Sequence, residues 1–90
     1  MKTIHSPSYQ RLIGLLIEAR KEAKMTQQGL SSKLGRQQSY VSKYERGERR
    51  LDVIEFLQVT LNLDADPYRL LKEIEPLLRA PAKGTKSLQD

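Results

Sequence analysis

Along this chain the apolar residues recur every three or four positions, and Ser, Thr, Asp, Gly and Pro interrupt them before any run grows long. That spacing puts them on one side of a helix and leaves no alternating pattern of a half-buried strand. Five helical segments can be read. The first follows Ser6-Pro7-Ser8, with Tyr9, Leu12, Ile13, Leu16 and Ala19 or Ala23 as its stripe. Leu15 and Ile17 fall off that stripe, so they are either lightly exposed or part of a second contact surface. Thr26 caps the second segment, which runs through Gln27, Gln28, Leu30 and Leu34 and stops at Gly35. The third starts near Gln37 or Gln38, buries Val41 and Tyr44, and ends at Gly47. Asp52 caps the fourth, whose apolar side is Val53, Ile54, Phe56, Leu57, Thr60 and Leu61, with Asn62 suited to a left-handed end. Asp66-Pro67 opens the fifth, lined by Tyr68, Leu70, Leu71, Ile74, Leu77 and Leu78. Pro76 is expected to kink or end it. The fold class is all-α.

Ninety residues allow one domain with one modest core. We divide the chain into an N-terminal arm (1–8), a helical domain (9–79) and a flexible tail (80–90). Without cysteine it has neither disulfides nor thiolate metal sites. No apolar run approaches the roughly 20 residues of a membrane span, and the first residues lack a signal-peptide pattern. The expectation is a cytoplasmic protein with no membrane partner. One His, no Cys, no Gly-rich phosphate loop and no nucleophile–base pair argue against an enzyme, a metal centre or a cofactor. Charge is uneven. Residues 1–50 carry 11 Lys and Arg against 4 Glu, a net of +7, while residues 51–90 carry 5 against 7 acids, a net of −2. A basic half of this kind suits a polyanion.

Two short helices about three residues apart, the second closed by glycine, meet the requirements of a helix-turn-helix, here about 26–46. Leu30, Leu34, Val41 and Tyr44 lock the pair. The outer positions of the second helix are then Gln37, Gln38, Ser39, Ser42, Lys43 and Arg46, all polar and none acidic; Glu45 is the only acid between Arg36 and Gly47. The sequence resembles the lambda-repressor and Cro-like family, also called the XRE family. The resemblance is carried by Glu18-Ala19-Arg20-Lys21, Thr26-Gln27-Gln28, Leu30 through Leu34-Gly35, and Gln38 through Arg50, in order over roughly residues 9–72.

That resemblance implies a compact five-helix DNA-binding domain and assigns roles by position. Gln38, Ser39 and Lys43 match base-reading positions, with Gln37 and Ser42 beside them. Gln pairs with adenine N6 and N7, Lys reaches guanine O6 and N7, and Ser serves either. Gln27 matches a phosphate contact. Tyr40 and Arg46 are expected at sugar or phosphate, fixing register, and Arg36, Arg49 and Arg50 are further phosphate candidates. The Tyr40 ring could instead pack on the preceding helix, and Arg49 and Arg50 could be solvated loop residues. Gln28 reads as plain surface and His5 has no role. Arg20 and Glu45 match a partly buried pair that sets the angle of the recognition helix. Two positions depart from the family pattern: Gly29, inside a helix where it should cost about 1 kcal/mol relative to Ala, and Arg36, in place of a small or apolar turn residue.

The function implied is a sequence-specific regulator of transcription, a repressor binding double-stranded DNA as a homodimer on a palindromic operator. Ile74, Leu77 and Leu78 form the expected dimer surface. An antitoxin, whose 80–90 tail neutralises a toxin protein partner, and a controller of a restriction–modification system are the alternatives.

Overall fold

The computed structural model describes residues 6–79. Within them the chain forms five α-helices and no strand: α1 (Pro7–Glu22), α2 (Gln27–Lys33), α3 (Tyr40–Glu45), α4 (Val53–Asn62) and α5 (Pro67–Arg79). Residues 1–5 of the expected arm and the expected 80–90 tail lie outside the described residues.

Local chemistry fixes where four of the five helices start. The Ser6 hydroxyl accepts the Tyr9 N–H at 3.2 Å and the Thr26 hydroxyl accepts the Gly29 N–H at 2.9 Å. Asp52 and Glu55 form a reciprocal capping box, each carboxylate accepting the other's backbone N–H. Asp66 accepts the Tyr68 N–H just before Pro67 enters α5. The first four helices end alike, with a left-handed residue whose N–H and the next turn back onto the last carbonyls. Gly35 and Gly47, at φ +70° and +78°, supply that residue without strain for α2 and α3. Lys24 and Asp64 supply it for α1 and α4.

The core is built from Tyr9, Ile13, Leu15 and Leu16 of α1, Leu30 of α2, Tyr40, Val41 and Tyr44 of α3, Phe56 and Val59 of α4, and Leu70 and Ile74 of α5. α1 packs against α5 and also against α3. Two neighbours demand two apolar faces, which is why Leu15 is buried and Ile17 half-buried: they are the second contact surface. No described helix is long and apolar enough to cross a membrane.

Several expectations are corrected. α3 begins at Tyr40 rather than at Gln37 or Gln38, so six residues separate it from α2 instead of about three. The intervening Gln37, Gln38 and Ser39 form a tight turn, closed by the Tyr40 N–H on the Gln37 carbonyl at 3.0 Å. On α4, Val53, Ile54 and Leu61 face outward, 71%, 62% and 69% exposed. The inward set is Glu55, Phe56, Val59 and Thr60, because the capping box turns Glu55 toward the domain and the rest follow at helical spacing. The left-handed residue after α4 is Asp64, not Asn62. Only Leu70 and Ile74 of α5 are buried, while Tyr68, Leu71, Leu77 and Leu78 are exposed. Pro76 does not end α5, which continues to Arg79. The proline removes one hydrogen bond, to the carbonyl of Lys72, which is an exposed residue. Gly29 also has an explanation, since a Cβ there would stand 3.0 Å from the capping Thr26 hydroxyl.

Candidate nucleic-acid interface

α3 is only six residues long, too short to be stable by its own hydrogen bonds, so the rest of the domain must hold it. Val41 and Tyr44 are fully buried beneath it. Its N-terminus has no local cap: Ser39 sits at φ −89°, ψ 1° and its hydroxyl makes no capping bond. The cap comes instead from α2, where the fully buried Ser31 hydroxyl accepts the Val41 N–H at 3.0 Å.

The other end is fixed by the pair expected from sequence. Arg20 Nε donates to Glu45 Oε2 at 2.7 Å and Nη2 donates to Oε1 at 3.1 Å, while Nη1 reaches the Met25 carbonyl at 2.9 Å. Glu45 holds the guanidinium in its charged form, raising the Arg20 pKa. Gln27 joins them, its amide nitrogen donating to Glu45 Oε1 at 2.7 Å. Because a carboxylate only accepts, the nitrogen of Gln27 must face Glu45, and one amide N–H is left for another acceptor. One hydroxyl at the start of α3 and one carboxylate at its end therefore set the height and tilt of this helix.

On the outside of this braced helix lies a hollow of about 440 Å³ lined by Gln27, Gln28, Gln37, Gln38, Ser39 and Ser42. No charged side chain lines it. Gln28, which by sequence reads as plain surface, is among the lining residues; its place on the first turn of α2, beside Gln27, is the sequence signal that points to it. The Ser42 hydroxyl donates to the Ser39 carbonyl at 3.0 Å, so toward solvent it presents lone pairs. Lys43 is exposed and forms no ion pair among the described residues.

A second hollow, of about 320 Å³, shares Gln37 and Ser39 with the first and is otherwise lined by Arg36, Tyr40, Lys43 and Arg49. The Tyr40 ring is buried and lies edge-on to Tyr44, with centroids 5.6 Å apart. Arg36 and Arg49 stand against that ring, 4.5 and 5.0 Å from its centroid. Both reach Glu55, which sequence reasoning did not single out. The Arg49 guanidinium hydrogen-bonded to it pulls the Glu55 carboxyl down to about 2, and Glu55 in turn raises Arg49. Burial pushes the Tyr40 phenol up. Arg50 lies over the ring of Tyr9, 4.6 Å from its centroid, and the Tyr9 hydroxyl accepts the Leu51 N–H at 3.0 Å. Arg46 forms an exposed two-pronged pair with Glu48 at 2.9 and 3.1 Å. Of the dimer residues expected on α5, Ile74 is buried in the protomer core, whereas Leu77 and Leu78 remain exposed.

A helix-turn-helix family model matches residues 16–66, which spans the whole of α2, α3 and α4. The chain belongs to the XRE family. Among solved structures it is similar to an XRE-family like protein from Pseudomonas syringae pv. tomato str. DC3000, at 53% identity, with 84% of this chain and 93% of that one covered and a TM-score of 0.76. No curated protein matches it. XRE membership makes this a DNA-binding regulator of transcription, with a regulator's fold rather than an enzyme's.

Proposed function

We propose that this XRE-family protein is a sequence-specific repressor that reads duplex DNA with the α3 face and binds a palindromic operator as a homodimer. One observation carries the reading. The hollow lined by amides and hydroxyls runs directly into the cationic one, through their shared Gln37 and Ser39. Base edges in the major groove are an array of donors and acceptors flanked by phosphates. The two hollows offer matching groups in the matching order.

In this reading Gln37, Gln38, Ser39, Ser42 and Lys43 meet bases. Gln27, with its remaining amide N–H, and Arg36, Arg46, Arg49 and Arg50 meet phosphates, as does Tyr40 where its hydroxyl reaches the surface. One short helix reads few base pairs, so specificity is gained by pairing two copies on half-sites about 34 Å apart. The α5 groove supports that pairing. Tyr68, Leu71, Ile74 and Leu78 line a hollow of about 450 Å³ with Lys72 and Glu75, and Leu77 adds a further exposed apolar side chain.

Selection of bound duplexes from a random pool tests the first part. A symmetric consensus is expected, and recovery of unrelated sequences would refute specific readout. On the selected site Lys43→Ala should weaken binding by about 1–3 kcal/mol and relax one base position. Sedimentation at micromolar concentration tests the second part. A dimer on the palindromic duplex that Leu78→Glu breaks supports the α5 surface; a strict monomer with and without DNA would end the homodimer proposal.

A further inference from the structure

Arg36 belongs to the turn before α3 and Arg49 to the loop after it, yet both come to rest on one tyrosine ring and one carboxylate. Glu55 Oε2 accepts from Arg49 Nη2 at 2.5 Å and from Arg36 Nη2 at 3.4 Å, while Oε1 accepts from Arg49 Nη1 at 3.0 Å and from the Asp52 N–H at 3.0 Å. Two guanidiniums brought together repel, and long side chains held still lose rotamer freedom. Glu55 offsets that repulsion, and Asp52, its partner in the capping box, adds a second negative charge that acts on Arg49. Lys43 lines the same hollow with no ion pair among the described residues, so three cations stand against two carboxylates and the assembly stays cationic.

Donor arithmetic points the same way. Each guanidinium carries five N–H groups. Arg49 uses three of them, two on Glu55 and one on the Arg50 carbonyl, and Arg36 uses one. Arg36, Arg49 and Ser39 all line a hollow of about 320 Å³, and the unused guanidinium donors are taken up by no other bond among the described residues. A group with several acceptor oxygens and one negative charge suits that arrangement, and a backbone phosphodiester is such a group.

Resting on the reading above that the α3 face meets duplex DNA, we infer that Glu55 is a positioning residue for DNA binding. It presets Arg36 and Arg49, with the Tyr40 ring as their platform, as a two-armed receptor for one backbone phosphate. Because that phosphate lies beside the base-reading groups, the receptor fixes the register in which α3 is read. Glu55 itself touches no DNA and is repelled by it. Its contribution is to spare the arginines the ordering that binding would otherwise demand.

Glu55→Gln separates this role from a merely structural one, because the substitution makes the domain more cationic while it releases the arms. We compare wild type, Glu55→Gln and Arg49→Lys on the duplex selected from the random pool and on an unrelated duplex, over a range of salt. Folding is checked by circular dichroism. Arg49→Lys keeps the charge and loses the fork, so it carries the test if Glu55→Gln does not fold. The expected result for each variant is about a tenfold loss on the selected duplex with no loss on the unrelated one. The salt slope on the selected duplex should also become shallower by about 1, the value of one phosphate contact. Folded variants that bind both duplexes as well as or better than wild type would overturn the inference. A wild type that shows no preference between the duplexes, with Lys43→Ala indistinguishable from it, would overturn the DNA reading itself.

Discussion

Glu45→Gln tests how α3 is held, because it alters one atom in a site where every donor is counted. Glu45 accepts three hydrogen bonds, two from Arg20 and one from Gln27. Its side chain is 5% exposed and that of Arg20 is 11% exposed. A glutamine at 45 keeps one acceptor oxygen and turns an amide N–H₂ toward a donor, so at least one N–H of Arg20 or Gln27 loses its partner. The larger effect is electrostatic, since the Arg20 charge stays in a buried site without its counter-charge. Breaking one side of a buried pair costs about 3–5 kcal/mol. Arg20 keeps the Met25 carbonyl at 2.9 Å, which puts the expected loss near the lower end, about 3 kcal/mol. For a domain of this size that lowers the melting temperature by about 12–24 °C, measured by circular dichroism at 222 nm, where helices absorb. The double substitution Arg20→Met with Glu45→Leu should recover more than half of the loss, because it leaves no unpaired buried charge. A loss below about 1 kcal/mol for Glu45→Gln would put the pair in the range of exposed ion pairs and refute the claim that it braces the helix.

Three further outcomes follow from the same geometry. Ser31→Ala removes the one side-chain cap that α3 has among the described residues and orphans the Val41 N–H, so denaturant melts should show a loss of about 1–2 kcal/mol; no change would mean the turn closes without it. The Tyr44 hydroxyl is the one buried side-chain polar atom among the described residues with no hydrogen-bond partner, and burial raises its pKa strongly. Tyr44→Phe should therefore be neutral or stabilising by up to about 1 kcal/mol, and a clear destabilisation would mean that the hydroxyl is bonded in solution. The Glu55 carboxyl ionises at about 2 in the fold against an ordinary 4.5, so its stabilisation is complete above pH 4.5 and is lost as pH falls from there through 2. With both partner arginines about a third exposed, solvent screening reduces that stabilisation to about 1–2 kcal/mol. Acid titration of stability should show it in the wild type and not in Glu55→Gln.

What could be read in advance follows from which physical cause acts locally. Caps are local: Ser6, Thr26, Asp52 and Asp66 each bond a backbone N–H two or three residues on, so four of the five helix starts were legible. The start of α3 was not, because its cap lies ten residues back on α2. Without Ser31 in view, the polar run Gln37-Gln38-Ser39 read as the first turn of a helix when it is the turn leading into one. Facing was legible only in part. α4 is apolar nearly all round, so periodicity could not choose between the side with Phe56 and Val59 and the side with Ile54 and Leu61. The choice was made by Glu55, a charged residue turned inward by its own cap.

That one glutamate also explains why the surroundings of α3 are only partly legible in the sequence. Arg36, Tyr40 and Arg49 are recognisable one at a time as cationic or aromatic residues near α3, with a packed alternative open for Tyr40 and a solvated one for Arg49. Nothing in a linear sequence says that positions 36, 40, 49 and 55 meet. Once the capping box aims Glu55 at the start of α3, beside Tyr40, however, the alternatives cease to be separate. Tyr40 packs inward, and by packing it gives the arginines a surface. The arginines are ion-paired, and in the proposed reading that pairing holds them where a phosphate would find them. A residue can therefore be structural in what it touches and functional in what it arranges, and the two roles separate only under a substitution that changes charge and geometry in opposite directions, as Glu55→Gln does.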